Sequence, residues 1–394
     1  MISAMPAPLK VGLVAGEASG DTLGAGLIDA LRRLEPDAQF FGVAGPKMRA
    51  AGCEVWEPAE SLAVMGLFEI LKELPRLLSL LSRLRRSFIA ARPDVVVGID
   101  APDTNLRLAR SLHAAGIPTV QYVSPQVWAW RQSRVQHIHE SVDLVLCLLP
   151  FEKRFYDGKG VAAEFVGHPL ADAIPIDVDR ASARRALDLP ADAEIVALLP
   201  GSRRGEVSRL AGDFAATAAW LLERRPGLEF IAPMASAATR QIFSHALERI
   251  APQVRVRLID GHAQAALIAA NAVLVASGTA SLEAALCKRP MVVVYRLGAL
   301  SAWIIRRFNL VKSKFFAQPN LLADHRVVGE YFQEQIDPQT LGAELLAWLD
   351  DPGRRAKLEQ EFVGLHADLK RDASARAAQA ILALLRRKPP VSPP

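Results

Sequence analysis

Cysteine is scarce in this 394-residue chain, and Cys53, Cys147 and Cys287 stand far apart without paired spacing. That excludes a disulfide framework and a zinc knuckle, and the thiols read as reduced core residues of a cytosolic protein. The eight histidines show no metal-ligand spacing except His137 and His139, which sit among Arg131, Arg134 and Glu140 as a solvated helix face. Asp177-Val178-Asp179 follows Pro175 in a polar joint and ends no apolar strand, so no metal and no cofactor is expected. Long apolar runs are lacking too. The first, Val11 to Ala15, is too brief for the core of an export signal. The charge-free stretches Ser111 to Trp130 and Gly261 to Leu282 carry Gly, Gln, Ser or Pro where a span needs unbroken apolar residues, so no bilayer crossing is expected. The net charge of +5 is not gathered into an aromatic-interleaved basic stripe, which argues against a nucleic-acid partner. Attraction to anionic lipid or to phosphate fits that charge.

What is present is apolar content, 51% of the residues, enough over this length for two cores of similar size. Leu9 to Ala15, Phe40 to Ala44, Asp94 to Ile99, Thr119 to Val123 and Leu144 to Leu149 are near-continuous Val/Ile/Leu runs, the mark of strands buried on both faces. Helix-length segments such as Gly24 to Leu34 and Asn105 to Ala115 lie between them. The pattern then restarts with Ile195 to Leu199, Phe230 to Pro233, Val254 to Leu258, Ala272 to Ala276 and Met291 to Tyr295. The expected fold class is α/β, with two doubly wound parallel sheets in tandem joined near Gly167 to Asp179 and a ligand cleft between their carboxyl edges.

Three strand-to-helix turns carry polar groups. The first is Gly16-Glu17-Ala18-Ser19-Gly20-Asp21, where free amides at a helix start can donate to an anion or a sugar hydroxyl. The second, Gly201-Ser202-Arg203, adds a guanidinium suited to phosphate. The third is Ser277-Gly278-Thr279, with Glu283 one turn later and able to accept both ribose hydroxyls of a nucleotide; a plain capping set of Ser277 or Thr279 with Glu283 is the alternative. Asp100, closing the run Val95 to Ile99, is the candidate general base that takes an acceptor hydroxyl's proton. Glu17 and Asp103 are further catalytic candidates, although Asp103 also suits a helix cap and Asp100 a turn cap. Tyr122, Ser124 and Trp128 mark an aromatic sugar or acyl pocket, with core packing as the alternative. Leu62 to Phe88 and Leu300 to Phe316 combine apolar residues with Arg and Lys as membrane-plane helices do, and as ordinary packing helices also can.

Taken together, Val14 to Asp21, Gly42 to Pro46, Leu62 to Gly66, Gly98 to Asp103, Val127 to Gln132, Leu149 to Glu152, Leu199 to Arg203, Ala276 to Thr279 with Glu283, and Gln318 to Leu322 closely resemble the lipid-A-disaccharide synthase family over nearly the whole chain. The resemblance implies a GT-B fold of two Rossmann-like domains, 1–170 for the acceptor and 171–371 for the UDP-sugar, with a C-terminal helix, 372–385, returning to the first. It implies an inverting transfer from UDP-2,3-diacylglucosamine to 2,3-diacylglucosamine 1-phosphate at the cytoplasmic face of the inner membrane. It assigns Asp100 as base, Arg203 to phosphate and Asn320 to substrate; Ser19, Met65, Tyr122, Ser124 and Trp128 are further candidate substrate contacts. A homodimer is left open. Gln126, Arg204 and Asp324-His325 depart from the family pattern. A UDP-sugar 2-epimerase of the same architecture is the enzymatic rival.

Overall fold

The computed structural model describes residues 7–62, 67–130, 132–298, 303, 307 and 313–387; the side chains of 67–73, 129, 130 and 132 lie outside it. The chain divides into two compact units, Met1–Asp172 with Leu369–Pro394, and Ala173–Asp368.

The first unit holds β1 (Lys10–Ala15), β2 (Gln39–Ala44), β3 (Glu54–Pro58), β4 (Val95–Ile99), β5 (Thr119–Tyr122), β6 (Leu144–Cys147) and β7 (Ala163–Phe165). They form one parallel sheet in the order β3-β2-β1-β4-β5-β6-β7. The second unit holds β8 (Ile195–Leu199), β9 (Glu229–Met234), β10 (Val256–Asp260), β11 (Ala272–Ala276), β12 (Met291–Tyr295) and β13 (Gly329–Phe332). Its parallel sheet runs β10-β9-β8-β11-β12-β13. In both, the winding reverses between the first and fourth strands, so β1/β4 and β8/β11 are the points where the crossing helices leave a crevice at the carboxyl ends. The apolar runs mark the central strands, which are buried almost throughout, and one edge strand, β10, which is only partly buried. The other three edge strands, β3, β7 and β13, have no such run: Glu54, Glu57, Glu164 and Glu330 stand in them, because an edge keeps contact with water.

One face of the first sheet is covered by the Leu67–Ala91 helix, whose Leu80, Leu81, Leu84 and Phe88 pack with Val14, Phe41, Val43 and Val96. Trp56 stacks on Phe41 at 4.7 Å between ring centres. Phe88 is fully buried, a gain of about 1.5–3 kcal/mol. Over residues 80–88, then, the packing alternative describes this helix, while Arg76, Arg83, Arg85 and Arg86 stay on its exposed side. The other basic segment, Leu300 to Phe316, lies mostly outside the described residues. The Ala373–Arg387 helix packs on Ala18–Leu34, and the Asp172 carboxylate fixes its start by accepting the N–H groups of Arg371, Asp372 and Ala373 at 3.0, 2.9 and 2.7 Å.

Candidate active site

At the β1/β4 crevice two turns meet. A Cβ placed on Gly16 would lie 3.1 Å from the Ala101 methyl, so the two turns approach tightly here. Asp100 and Ala101 both take left-handed backbone conformations, φ 55° and 39°, at a cost of about 1–3 kcal/mol each. The kink lets β4 pass directly into the Pro102–His113 helix, with Pro102 at its first position. It leaves Asp100 half-buried at the sheet edge, where Ser19 Oγ donates to Oδ2 at 3.2 Å. Behind it, Asn105 Nδ2 and Gln121 Nε2 donate to the Asp100 carbonyl at 2.8 and 3.0 Å.

The other residues proposed for this edge divide. Glu17 is exposed as the N-cap residue of the Ala18–Leu34 helix, in the turn that touches Ala101, without capping it through its side chain. Asp103 neither caps its helix, whose N-cap is Ala101, nor turns inward: it pairs with Arg134 at 2.7 Å and is 77% exposed. Tyr122 and Ser124 are buried, as the core-packing alternative has it. Tyr122 is fully buried, and burial together with the nearby Asp172 raises its phenol above the ordinary range. Ser124 is buried against Tyr156, hydroxyl to hydroxyl at 3.0 Å. Both are core because β5 is central and covered on both faces. Trp128 is half-buried, its ring edge-on to Phe151 at 4.8 Å. Met65 lies outside the described residues.

Two buried carboxylates here escaped sequence reasoning. Asp21, read only as the end of the glycine-rich turn, accepts the N–H groups of Gly45 and Met48 at 3.0 Å and of Lys47 at 2.9 Å, and so caps the Pro46–Ala50 helix. It packs so closely on Gly45 that a Cβ there would meet Asp21 Cγ at 2.5 Å, which links the two motifs in space. Glu152 accepts the N–H groups of Leu148 and Leu149 at 3.2 and 3.0 Å at the end of β6. Burial pushes its carboxyl up to about 7, against the pull of those hydrogen bonds.

The second unit builds its crevice at β8/β11. A cleft of about 430 Å³ is lined by Gly201, Ser202 and Arg203 from the turn after β8, by Ser277, Gly278, Thr279 and Glu283 from the turn and helix after β11, and by Pro233 and Met234 from the end of β9. All seven residues proposed for nucleotide and phosphate contact therefore share one cavity. Gly278, at φ 146°, is the N-cap of the Thr279–Leu286 helix and makes no side-chain cap; Ser277 Oγ instead donates to the Phe316 carbonyl at 3.1 Å. The capping alternative thus gives way, and the helix start faces the cleft with its first amides. Glu283 is half-buried, and burial raises its carboxyl. Glu206, at the end of the same turn and given no role from sequence, accepts the Ser202 N–H at 3.1 Å beneath Gly201.

Asn320 stands apart from this cleft. It is fully buried, its Oδ1 accepting from Val327 and Val328 N–H at 2.8 and 3.0 Å and its Nδ2 donating to the Val328 carbonyl at 3.1 Å. Its amide is engaged with backbone, where it braces the turn after the Gln318–Ala323 helix. Nearby, Asp324 ends the Gln318–Ala323 helix at φ 58°, the left-handed position a glycine favours, which accounts for one departure from the family pattern. Asp179 is likewise structural, accepting the Ser182 N–H at 3.0 Å as an N-cap.

A family model described as lipid-A-disaccharide synthetase matches residues 11–384. The lipid-A-disaccharide synthase of Pseudomonas aeruginosa (strain UCBPP-PA14) is 52% identical over 380 residues, covering 96% of this chain and 99% of its own. That of Xanthomonas campestris pv. campestris (strain 8004) is 50% identical over 383 residues, 97% of this chain and 87% of its own. Among solved structures, UDP-GlcNAc 2-epimerase from Neisseria meningitidis bound to UDP-GlcNAc superposes with a TM-score of 0.63 at 12% identity, over 96% of this chain and 100% of its own. The glycotransferase of kitacinnamycin gives 0.61 at 18%, with coverage of 96% and 100%. Those identities show the shared GT-B fold alone, so the epimerase alternative rests on architecture, whereas the sequence relatives share half of all residues from end to end. The chain belongs to the lipid-A-disaccharide synthase family of glycosyltransferases.

Proposed function

We propose that the chain condenses UDP-2,3-diacylglucosamine with 2,3-diacylglucosamine 1-phosphate, forming a β-1,6 disaccharide 1-phosphate and UDP with inversion at the anomeric carbon. The observation that carries this reading is that each sheet devotes its switch point to one half of the chemistry: a carboxylate on a strained turn in the first unit, an anion-ready cleft in the second. Asp100 takes the proton of the acceptor 6-hydroxyl as that oxygen attacks C1 of the donor and the bond from C1 to the diphosphate breaks. Ser19, donating to Oδ2, keeps the carboxylate in its working orientation. The charge gathering on the departing diphosphate is met by Arg203, the amides of Gly278 and Thr279, and the helix dipole behind them. Glu283 accepts the ribose hydroxyls.

The lipid character of both substrates implies work at a membrane surface. Among the described residues no helix is long and apolar enough to cross a membrane. The exposed arginines of the Leu67–Ala91 helix support peripheral attachment to an anionic leaflet, the cytoplasmic face of the inner membrane in this proposal. The deciding experiment measures UDP release with purified protein. Release is expected only with both lipid sugars together, and Asp100→Asn should lower turnover by roughly two to four powers of ten at saturating substrate. Near-normal turnover of that variant would remove Asp100 as the base, and release from the donor alone would remove the transferase chemistry.

A further inference from the structure

Two amides beneath Asp100 are an odd choice for a core. Asn105 is 2% exposed and Gln121 0%. Asn105 Nδ2 donates to the Asp100 carbonyl at 2.8 Å and to those of Val14 and Ile99 at 3.3 Å. Gln121 Nε2 donates to the same Asp100 carbonyl at 3.0 Å and to those of Val123 and Tyr122 at 3.3 and 3.4 Å. The ends of β1, β4 and β5 are thereby laced together, and the Asp100 carbonyl receives two donors from two directions. Yet Asn105 Oδ1 and Gln121 Oε1 are buried and meet no donor among the described residues. An unanswered buried oxygen costs stability that a leucine or methionine of similar shape would not. Only the NH2 groups account for these two residues, and what those groups jointly secure is the carbonyl of Asp100.

That carbonyl governs the carboxylate. Asp100 and Ala101 sit in left-handed conformations that the chain does not hold unaided. Pinning the Asp100 carbonyl inward aims its side chain outward, to the edge where Ser19 meets it. The sequence makes room for the arrangement, since a Cβ on Gly98 would lie 2.8 Å from Asn105 Cβ. We infer that Asn105 and Gln121 are positioning residues for the glycosyl transfer, acting through the Asp100 main chain to hold its carboxylate at the acceptor hydroxyl. This rests on Asp100 being the base.

The test compares Gln121→Met and Asn105→Leu, each in the parent and in Asp100→Asn, by steady-state kinetics with both lipid sugars and by thermal melting. In the parent, each is expected to lower kcat roughly 10- to 100-fold, with KM for either substrate moving less than about threefold, because only the aim of the base changes. In Asp100→Asn the same substitutions should cost nothing further, since there is no base left to aim. A folded Gln121→Met with unchanged kcat overturns the inference, as does an equal loss in both backgrounds, which is what a general loosening of the fold produces. If Gln121→Met does not fold, Asn105→Leu decides by the same criteria; if neither folds, the amides serve stability and the inference falls. Near-normal turnover of Asp100→Asn alone is a separate result, which sinks the base assignment first.

Discussion

The carboxyl of Glu152 gives the sharpest stability prediction, because its environment opposes its charge. Below its ordinary 4.5 the side chain is protonated folded or unfolded, and burial costs nothing extra in charge. Between 4.5 and about 7 the unfolded chain releases the proton while the folded one keeps it, so stability falls as pH rises; above 7 the penalty is complete and constant. At about 1.4 kcal/mol per pH unit, that window is worth about 3 kcal/mol. Glu152→Gln removes the charge and keeps a carbonyl to accept from Leu148 and Leu149. It should match the parent near pH 4.5, exceed it increasingly up to about pH 7 and keep a constant lead at pH 8, by about 5–10 °C in the melting temperature of the first unit. His168 pulls the opposite way. Burial lowers its imidazole to about 4, so stability is lost as pH falls from the ordinary imidazole range toward 4. The parent's own profile therefore mixes two opposed slopes, and the difference between variant and parent, followed by calorimetry at pH 4.5, 6, 7 and 8, isolates Glu152. A difference that does not change with pH, or a variant less stable at pH 8, would refute the reasoning.

Gly201 stands at φ 128° over the Glu206 side chain, so Gly201→Ala combines a forbidden backbone region with a methyl driven into the carboxylate; UDP binding by calorimetric titration should weaken about tenfold or more, and an unchanged Kd would detach this turn from the diphosphate. On vesicles rich in anionic lipid, the chain should float at low salt and be released at high salt, with Arg85→Glu/Arg86→Glu reducing flotation; no flotation at low salt would end the membrane proposal.

Amino-acid order alone determined the fold class and most of the lining of the β8/β11 cleft. Buried parallel strands must be apolar without a break, and phosphate turns must carry small residues beside a helix start, so both leave a local trace: the runs ending at Ile99, Leu199 and Ala276 show it, as do Gly201 to Arg203 and Ser277 to Thr279. Edge strands leave less, since water satisfies what a neighbouring strand does not: the run Val254 to Leu258 marked β10, but β3, β7 and β13 emerged only in three dimensions. Side-chain direction was equally hidden. Tyr122 and Asp100 close neighbouring strands, yet one points into the core and the other to the edge, a choice made by two consecutive left-handed residues and by amides from Asn105 and Gln121, five and twenty-one positions further along. Asn320 carries the amide of a substrate ligand and spends it on Val327 and Val328. Asp21 looks like part of a phosphate turn and caps a helix 25 residues on. Hydrophobic pattern is a property of position along the chain and survives in one dimension; which partner a polar group meets depends on distances that only packing sets.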